Sequence, residues 1–207
     1  MKVGVAIYYC NPEQYPKQWR DKCFDSLKNQ TYKDFKSYSL DYGWDGNFSS
    51  TDITRFVKLK NYAEAMNYIY SWIFETCDVA VNVNIDDYYA PERIELLLKE
   101  IESGADVASS NYHIIDEDDN IIHSTQFEKL DVNKELRKWN KIVSNPAHLM
   151  SKKVWDSGFR FNPELVPIED LHAWREIIQR GFVIKIHPAY LHYYRQHSLQ
   201  ATKVYTK

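Results

Sequence analysis

The sequence predicts an α/β fold in which a mostly parallel central sheet is flanked by helices. Two observations carry that expectation. Short apolar, β-rich runs at residues 3–9, 35–41 and 79–85 alternate with helical-period stretches at 17–29 and 61–75, and such alternation implies parallel strands with right-handed crossovers. The three runs end at Asn11, at Asp41 and at the pair Asp86-Asp87, and ligands in such sheets collect beyond the carboxyl ends of the strands. A length of 207 residues suffices for one sizeable core, so a single domain over 1–207 is expected.

Taken in order, residues 3–9 form a buried strand that delivers the loop Cys10-Asn11-Pro12 to one sheet edge. Trp19, Cys23, Phe24 and Leu27 then recur at i, i+4, i+5 and i+8, a helix that covers the strand. Residues 35–41 read as a second strand, closed by the turn chemistry of Tyr42-Gly43-Trp44-Asp45-Gly46-Asn47. Tyr62, Met66, Ile69, Tyr70 and Ile73 mark a helix leading into the central run VAVNVNIDDYYAP, residues 79–91. There Val79, Val81, Val83 and Ile85 share one side of a strand, and Ala80, Asn82 and Asn84 share the other. Pro91 opens the next helix, with Ile94, Leu97, Leu98 and Ile101 on one face and Gly104 as its stop.

Residues 106–115 and 121–124 flank an acidic turn, 116–120, and read as a hairpin whose turn is solvated. Asp131 caps a short helix through Trp139, and another helix lies around 152–156. Leu171, Trp174, Ile177 and Ile178 give an apolar helical face ended by Gly181, with Glu169 and Asp170 in the first turn, where the helix dipole favours acids. A strand-like 183–186 and an aromatic, basic tail through Tyr194, Arg195 and His197 close the chain.

Composition excludes more than it assigns. A net charge of −3 gives no general reason to expect nucleic acid or an anionic membrane as a partner. No apolar stretch approaches the roughly 20 residues of a membrane span. Cys10, Cys23 and Cys77 are odd in number and widely spaced, which suits reduced thiols in a cytoplasm. Walker, G-x-G-x-x-G and G-x-S-x-G motifs are missing, so P-loop, dinucleotide and hydrolase-elbow readings lack their residues. What remains is two carboxylate pairs and a cationic tail. That set suits metal-assisted displacement of a diphosphate, one carboxylate holding Mg²⁺ or Mn²⁺ and another removing a proton from the nucleophile.

With these motifs assembled, nearly the whole chain resembles a family 2 glycosyltransferase of GT-A fold. VGVAIYYCN is similar to the family's first strand, FDSLKNQTYKDF to its S-x-x-x-Q-T-Y-x-D-F segment, and SLDYG to its nucleotide loop. NIDDYYAPERIELL resembles the DXD segment, although Asn84 stands where many members carry an aspartate; IEDLHAWREI resembles the ED segment and YYRQH the terminal Y-x-R-x-H. The resemblance implies an inverting enzyme that moves a hexose from a nucleotide-sugar, a UDP-sugar in the first instance, to an acceptor hydroxyl on a glycan or other molecule. It implies a nucleotide-binding half at 1–88 and an acceptor-binding half at 89–207. Asp87 would be the chief metal ligand with Asp86 beside it, and Asp170 the general base with Glu169 as second choice. Tyr8, Asn11 and Asp41 would face the nucleotide, Tyr8 or Tyr9 by stacking, while Arg195 and His197 would close over the diphosphate. The other histidines are expected to be structural or superficial, and Cys10 a small buried filler. Three rivals stand beside this reading: a sugar-nucleotidyl transferase, whose basic Gly-rich loop is missing at YYCNPEQYP; a non-catalytic nucleotide-sugar or glycan-binding protein; and a glycosyltransferase acting on modified DNA bases, which the acidic balance disfavours.

Overall fold

The computed structural model describes residues 1–43, 53–138, 140, 143, 145–200 and 203. Its strands are β1 Val3–Tyr9, β2 Phe35–Asp41, β3 Thr54–Phe56, β4 Val79–Val83, β5 Tyr88–Tyr89, β6 Val107–Ile115, β7 Ile121–Ser124, β8 Leu149–Ser151 and β9 Ile184–Arg195. Its α-helices are α1 Lys17–Lys28, α2 Tyr62–Ile73, α3 Arg93–Glu102, α4 Val132–Arg137, α5 Lys152–Asp156 and α6 Glu169–Gln179. The strands form one sheet in the order β3-β2-β1-β4-β8-β6-β9-β5, with β7 on β6. β3, β2, β1 and β4 run together, as do β6 and β9, while β8, β5 and β7 run against their neighbours.

The expected strands at 3–9, 35–41 and 79–85 are present, the last ending at Val83, and β1 lies between β2 and β4 in parallel register. The helices expected after Asn61, Pro91 and Ile168 are present as α2, α3 and α6, and the 106–124 hairpin forms as β6 and β7. Asn61 caps α2 by accepting from the Glu64 amide, and Asp131 caps α4 from the Lys134 amide. Trp139 and the turn residues Trp44, Asp45, Gly46 and Asn47 lie outside the described residues.

Period-two alternation on β1 divides the core. Ala6 and Tyr8 join Leu40, Met66, Tyr70 and Trp174 on the α2 and α6 side, whereas Val5, Ile7 and Tyr9 join Cys23, Val81, Ile94 and Leu97 on the α1 and α3 side. Three short strands, β3, β5 and β8, were not expected, because two or three residues are too few to establish a period. The chain after 183 is also more regular than expected: one strand, β9, replaces a short strand and a tail. Pro188 masks it in the sequence. The ladder with β6 shifts register between Ser110 and Tyr112, and Pro188 sits in that irregularity, where it breaks no regular pairing. Cys10, Cys23 and Cys77 form no disulfide, and among the described residues no helix is long and apolar enough to cross a membrane.

Candidate active site

The turn after β4 carries the first acid pair. Asp87 is 1% exposed, and both of its oxygens are engaged: Oδ1 accepts from the Arg195 amide at 2.8 Å, and Oδ2 meets His192 Nε2 at 3.0 Å. Burial, then the neighbouring Asp86 charge, pushes its carboxyl well above the usual range, while burial pushes the His192 imidazole well down. His192 is therefore neutral, and a single hydrogen bond joins its Nε2 to Asp87 Oδ2. This carboxylate is walled in, and the expectation that Asp87 is the chief metal ligand does not match such a position.

Asp86 behaves differently. Its side chain retains 15% exposure, and Oδ2 lies 2.9 Å from His197 Nε2. The His197 ring is held edge-on to Tyr15, with centroids 5.6 Å apart, and tilted against Trp19 at 5.1 Å. Asp86 and His197 thus form a pair at the carboxyl end of the sheet.

Arg195 departs from expectation. Its guanidinium is fully buried: Nε donates to the Asp86 carbonyl at 2.9 Å, Nη1 to the carbonyls of Asp116 and Glu117, and Nη2 to Asp119 Oδ1 at 2.5 Å. Its nitrogens bond to the protein here, beneath the acidic turn, where the expectation had them over a diphosphate. The acidic turn expected to be merely solvated is its seat, and Asp119 also takes Lys22 Nζ at 2.6 Å.

The second acid pair sits in the first turn of α6, and both members are buried, Glu169 at 2% and Asp170 at 3% exposure. Tyr62, on α2, donates its hydroxyl to Glu169 Oε2 at 2.8 Å, and Asp170 Oδ1 accepts from the Leu171 amide. The Tyr8 hydroxyl links the two pairs electrostatically. Burial first, and then the charges of Glu169, Asp86 and Asp170, raise its pKa, so all three carboxylates are within electrostatic reach of the end of β1. Tyr112 is pushed up to about 12 by burial and then by the charge of Asp170.

The remaining expected residues divide by sheet face. Tyr8 accepts from Asn82 Nδ2 at 3.2 Å on the α2 side, within reach of the carboxylates. Tyr9 points the other way into the α1 and α3 core, which corrects the expectation that it could stack on a base. Asn11 is exposed with φ 56°, in the left-handed region that Asn tolerates. Asp41 is fully buried and accepts from the Gly43 amide at 3.0 Å. Gly43 allows the loops after β1 and β2 to meet, since a Cβ there would lie 2.8 Å from Cys10 Sγ.

The sequence reading missed His192, Tyr62, Trp19, Tyr15 and Asp119. For His192 a signal existed: once β9 is read as a strand, His192 and Tyr194 share one side of its C-terminal half. Among the described residues, no group of three or more His, Cys, Asp or Glu side chains could hold a metal by itself. Asp86 would offer one carboxylate ligand, held by His197, leaving the others to a bound molecule. Cavities of about 530 Å³ beside His197 and Lys203, and about 310 Å³ beside Glu169 and His172, open near the two pairs.

Similarity to known structures follows this geometry. Residues 1–349 of S. aureus TarS in complex with UDP-GlcNAc superpose with a TM-score of 0.71 at 13% identity, over 97% of this chain and 60% of that one. A mannosyltransferase from Pyrobaculum calidifontis, in complex with GDP-Man and Mn²⁺, gives 0.69 at 14% identity, over 96% and 58%. Both are GT-A-type glycosyltransferases. The chain carries the GT-A fold. It spans about 60% of the length of these two structures. No family model matches the sequence, and no curated protein matches it.

Proposed function

We propose that this GT-A chain is a glycosyltransferase that moves a hexose from a nucleotide-sugar, UDP-linked in the first instance, to an acceptor hydroxyl with inversion at the anomeric carbon. One observation carries the reading: Asp86, a partly exposed acid paired with His197, and the acid pair Glu169 and Asp170 all act electrostatically on the Tyr8 hydroxyl at the end of β1.

A carboxylate suits Mn²⁺ or Mg²⁺ when phosphate oxygens complete the set, so Asp86 fits such an ion; His197, whose Nδ1 accepts from the Leu199 amide at 3.2 Å and whose Nε2 donates to Asp86, holds that carboxylate in place. A bound divalent ion supplies charge neutralisation for the departing diphosphate. Asp86, and not Asp87, takes the ligand role in this proposal, because both Asp87 oxygens are already committed. Asp170 accepts the acceptor's hydroxyl proton; the oxygen attacks the anomeric carbon from one face as the diphosphate leaves from the other. Glu169, which accepts from the Tyr62 hydroxyl, is the second candidate for base. Tyr8, Asn11 and Asp41 line the nucleotide side at the ends of β1 and β2. The solved complexes of TarS with UDP-GlcNAc and of the mannosyltransferase with GDP-Man support a nucleotide-sugar donor of this kind.

The test is nucleotide binding with and without metal. UDP with Mn²⁺ at a hundred times its Kd should stabilise the protein by about 2.7 kcal/mol. The Asp86→Ala variant should lose that Mn²⁺-dependent gain while folding normally. No stabilisation of the parent protein by any of UDP, GDP or their sugars with Mn²⁺ would sink the reading.

A further inference from the structure

Arg195 lies where three segments cross. Its amide holds Asp87, its Nε holds the Asp86 carbonyl, and its own carbonyl accepts from Gln200 Nε2 at 2.7 Å. Two residues on, His197 reaches Asp86. Among the described residues, the one carboxylate within ion-pair distance of the Arg195 guanidinium belongs to Asp119, at the tip of the β6–β7 hairpin. The turn that presents Asp119 is pinned on both sides. Asp116 Oδ1 accepts from the amides of Asp118 and Asn120, and Trp19 Nε1 donates to the Glu117 carbonyl at 3.1 Å. Trp19 lies against both the Arg195 guanidinium, at 4.8 Å, and the His197 ring.

We propose that Asp119 is a positioning residue for the Asp86–His197 pair: by gripping Arg195 it fixes the segment that sets His197 against Asp86. The inference rests on the sugar-transfer reading for its consequence, since the pair is where the metal and diphosphate would bind. A buried guanidinium that loses its carboxylate shifts to recover a partner, and Arg195 cannot shift without carrying the Asp86 carbonyl and residue 197 with it. Lys22 provides the contrast. It bonds the other oxygen of Asp119, but its side chain is 41% exposed and touches neither Asp86 nor His197 in the contacts described.

The experiment compares Asp119→Asn, Asp119→Glu and Lys22→Met with the parent. Asparagine tolerates the left-handed backbone at 119, where φ is 70°, so the first variant removes charge without straining the turn. Mn²⁺ titrated in the presence of saturating UDP should bind about tenfold more weakly to Asp119→Asn, the range expected when the support of a metal ligand is lost. Asp119→Glu should regain part of that loss, and Lys22→Met should stay within about twofold of the parent. In the absence of nucleotide, the His197 imidazole resonances should move in Asp119→Asn and hold still in Lys22→Met. An unchanged Mn²⁺ affinity in Asp119→Asn overturns the proposal. If the parent binds no UDP with Mn²⁺, the sugar-transfer reading is what fails, and the His197 resonances alone then judge the positioning: movement supports it and constancy overturns it.

Discussion

The two acid pairs are alike in sequence and unlike in the fold. At the end of β4 the neighbours are split, Asp87 sealed between His192 and the Arg195 amide, Asp86 left partly exposed on the buried His197. At the start of α6 both acids are buried, and they are distinguished by partner: Glu169 accepts from the Tyr62 hydroxyl and Asp170 from the Leu171 amide. A carboxylate whose oxygens are both engaged by the protein is a structural anchor. One that keeps an approach to solvent or ligand can do chemistry. The difference is made by residues more than a hundred positions away.

Breaking the α6 pair should give the larger effect on rate. Asp170→Asn keeps the shape of the side chain and removes its basicity, so transfer should fall by about a thousandfold, within the range for loss of a general base, while UDP and Mn²⁺ bind as before. Release of UDP from UDP-sugars in the presence of acceptor measures the first, and calorimetry the second. Equal activity in Asp170→Asn would transfer the role to Glu169 or abolish the assignment. At the β4 pair the contrast is one of stability. Asp87→Ala leaves the Arg195 amide and His192 buried without their partner, a loss of about 3–5 kcal/mol by urea denaturation. Asp86→Ala leaves only the His197 Nε2 without its partner and should cost less, about 1–3 kcal/mol. Reversed costs would show that Asp86 is the anchor.

Much of the architecture was legible because it follows from period. The alternation in β1 and β4 and the helical faces of α2, α3 and α6 can be read over seven or more residues, and they locate both acid pairs at strand or helix ends. The roles within each pair were not legible. Asp87 is anchored by residues 105 and 108 positions later, and no local pattern distinguishes it from Asp86. The same distance hid Asp119, which reads as a solvated acid in a turn of acids until β9 brings Arg195 beneath it. Arg195 itself was assigned to the ligand because a cation beside a diphosphate is chemically sensible; burial against three main-chain carbonyls and Asp119 gives it a different task.

Acid sharpens the comparison further, because the α6 pair leans on a histidine of its own. His148 packs against Trp174 of α6 with ring centroids 4.8 Å apart. Its Nδ1 contacts the Asn145 carbonyl, which can only accept, so Nδ1 carries the proton and Nε2 accepts from the Tyr70 hydroxyl at 2.7 Å. Burial lowers its pKa to about 3, against an ordinary value near 6.5. The native state therefore binds fewer protons than the unfolded chain between those two values. Stability from this group is complete above about pH 6.5 and is lost as pH falls below it, at a slope approaching 1.4 kcal/mol per pH unit. Urea midpoints measured from pH 7.5 to 5 should show that decline, and His148→Gln, which can still donate and accept, should flatten it. The slope that survives the substitution belongs to the other depressed groups, the buried His192 foremost, against which the raised carboxyl of Asp87 works with opposite sign. An unflattened slope in His148→Gln would show that His148 is not its source.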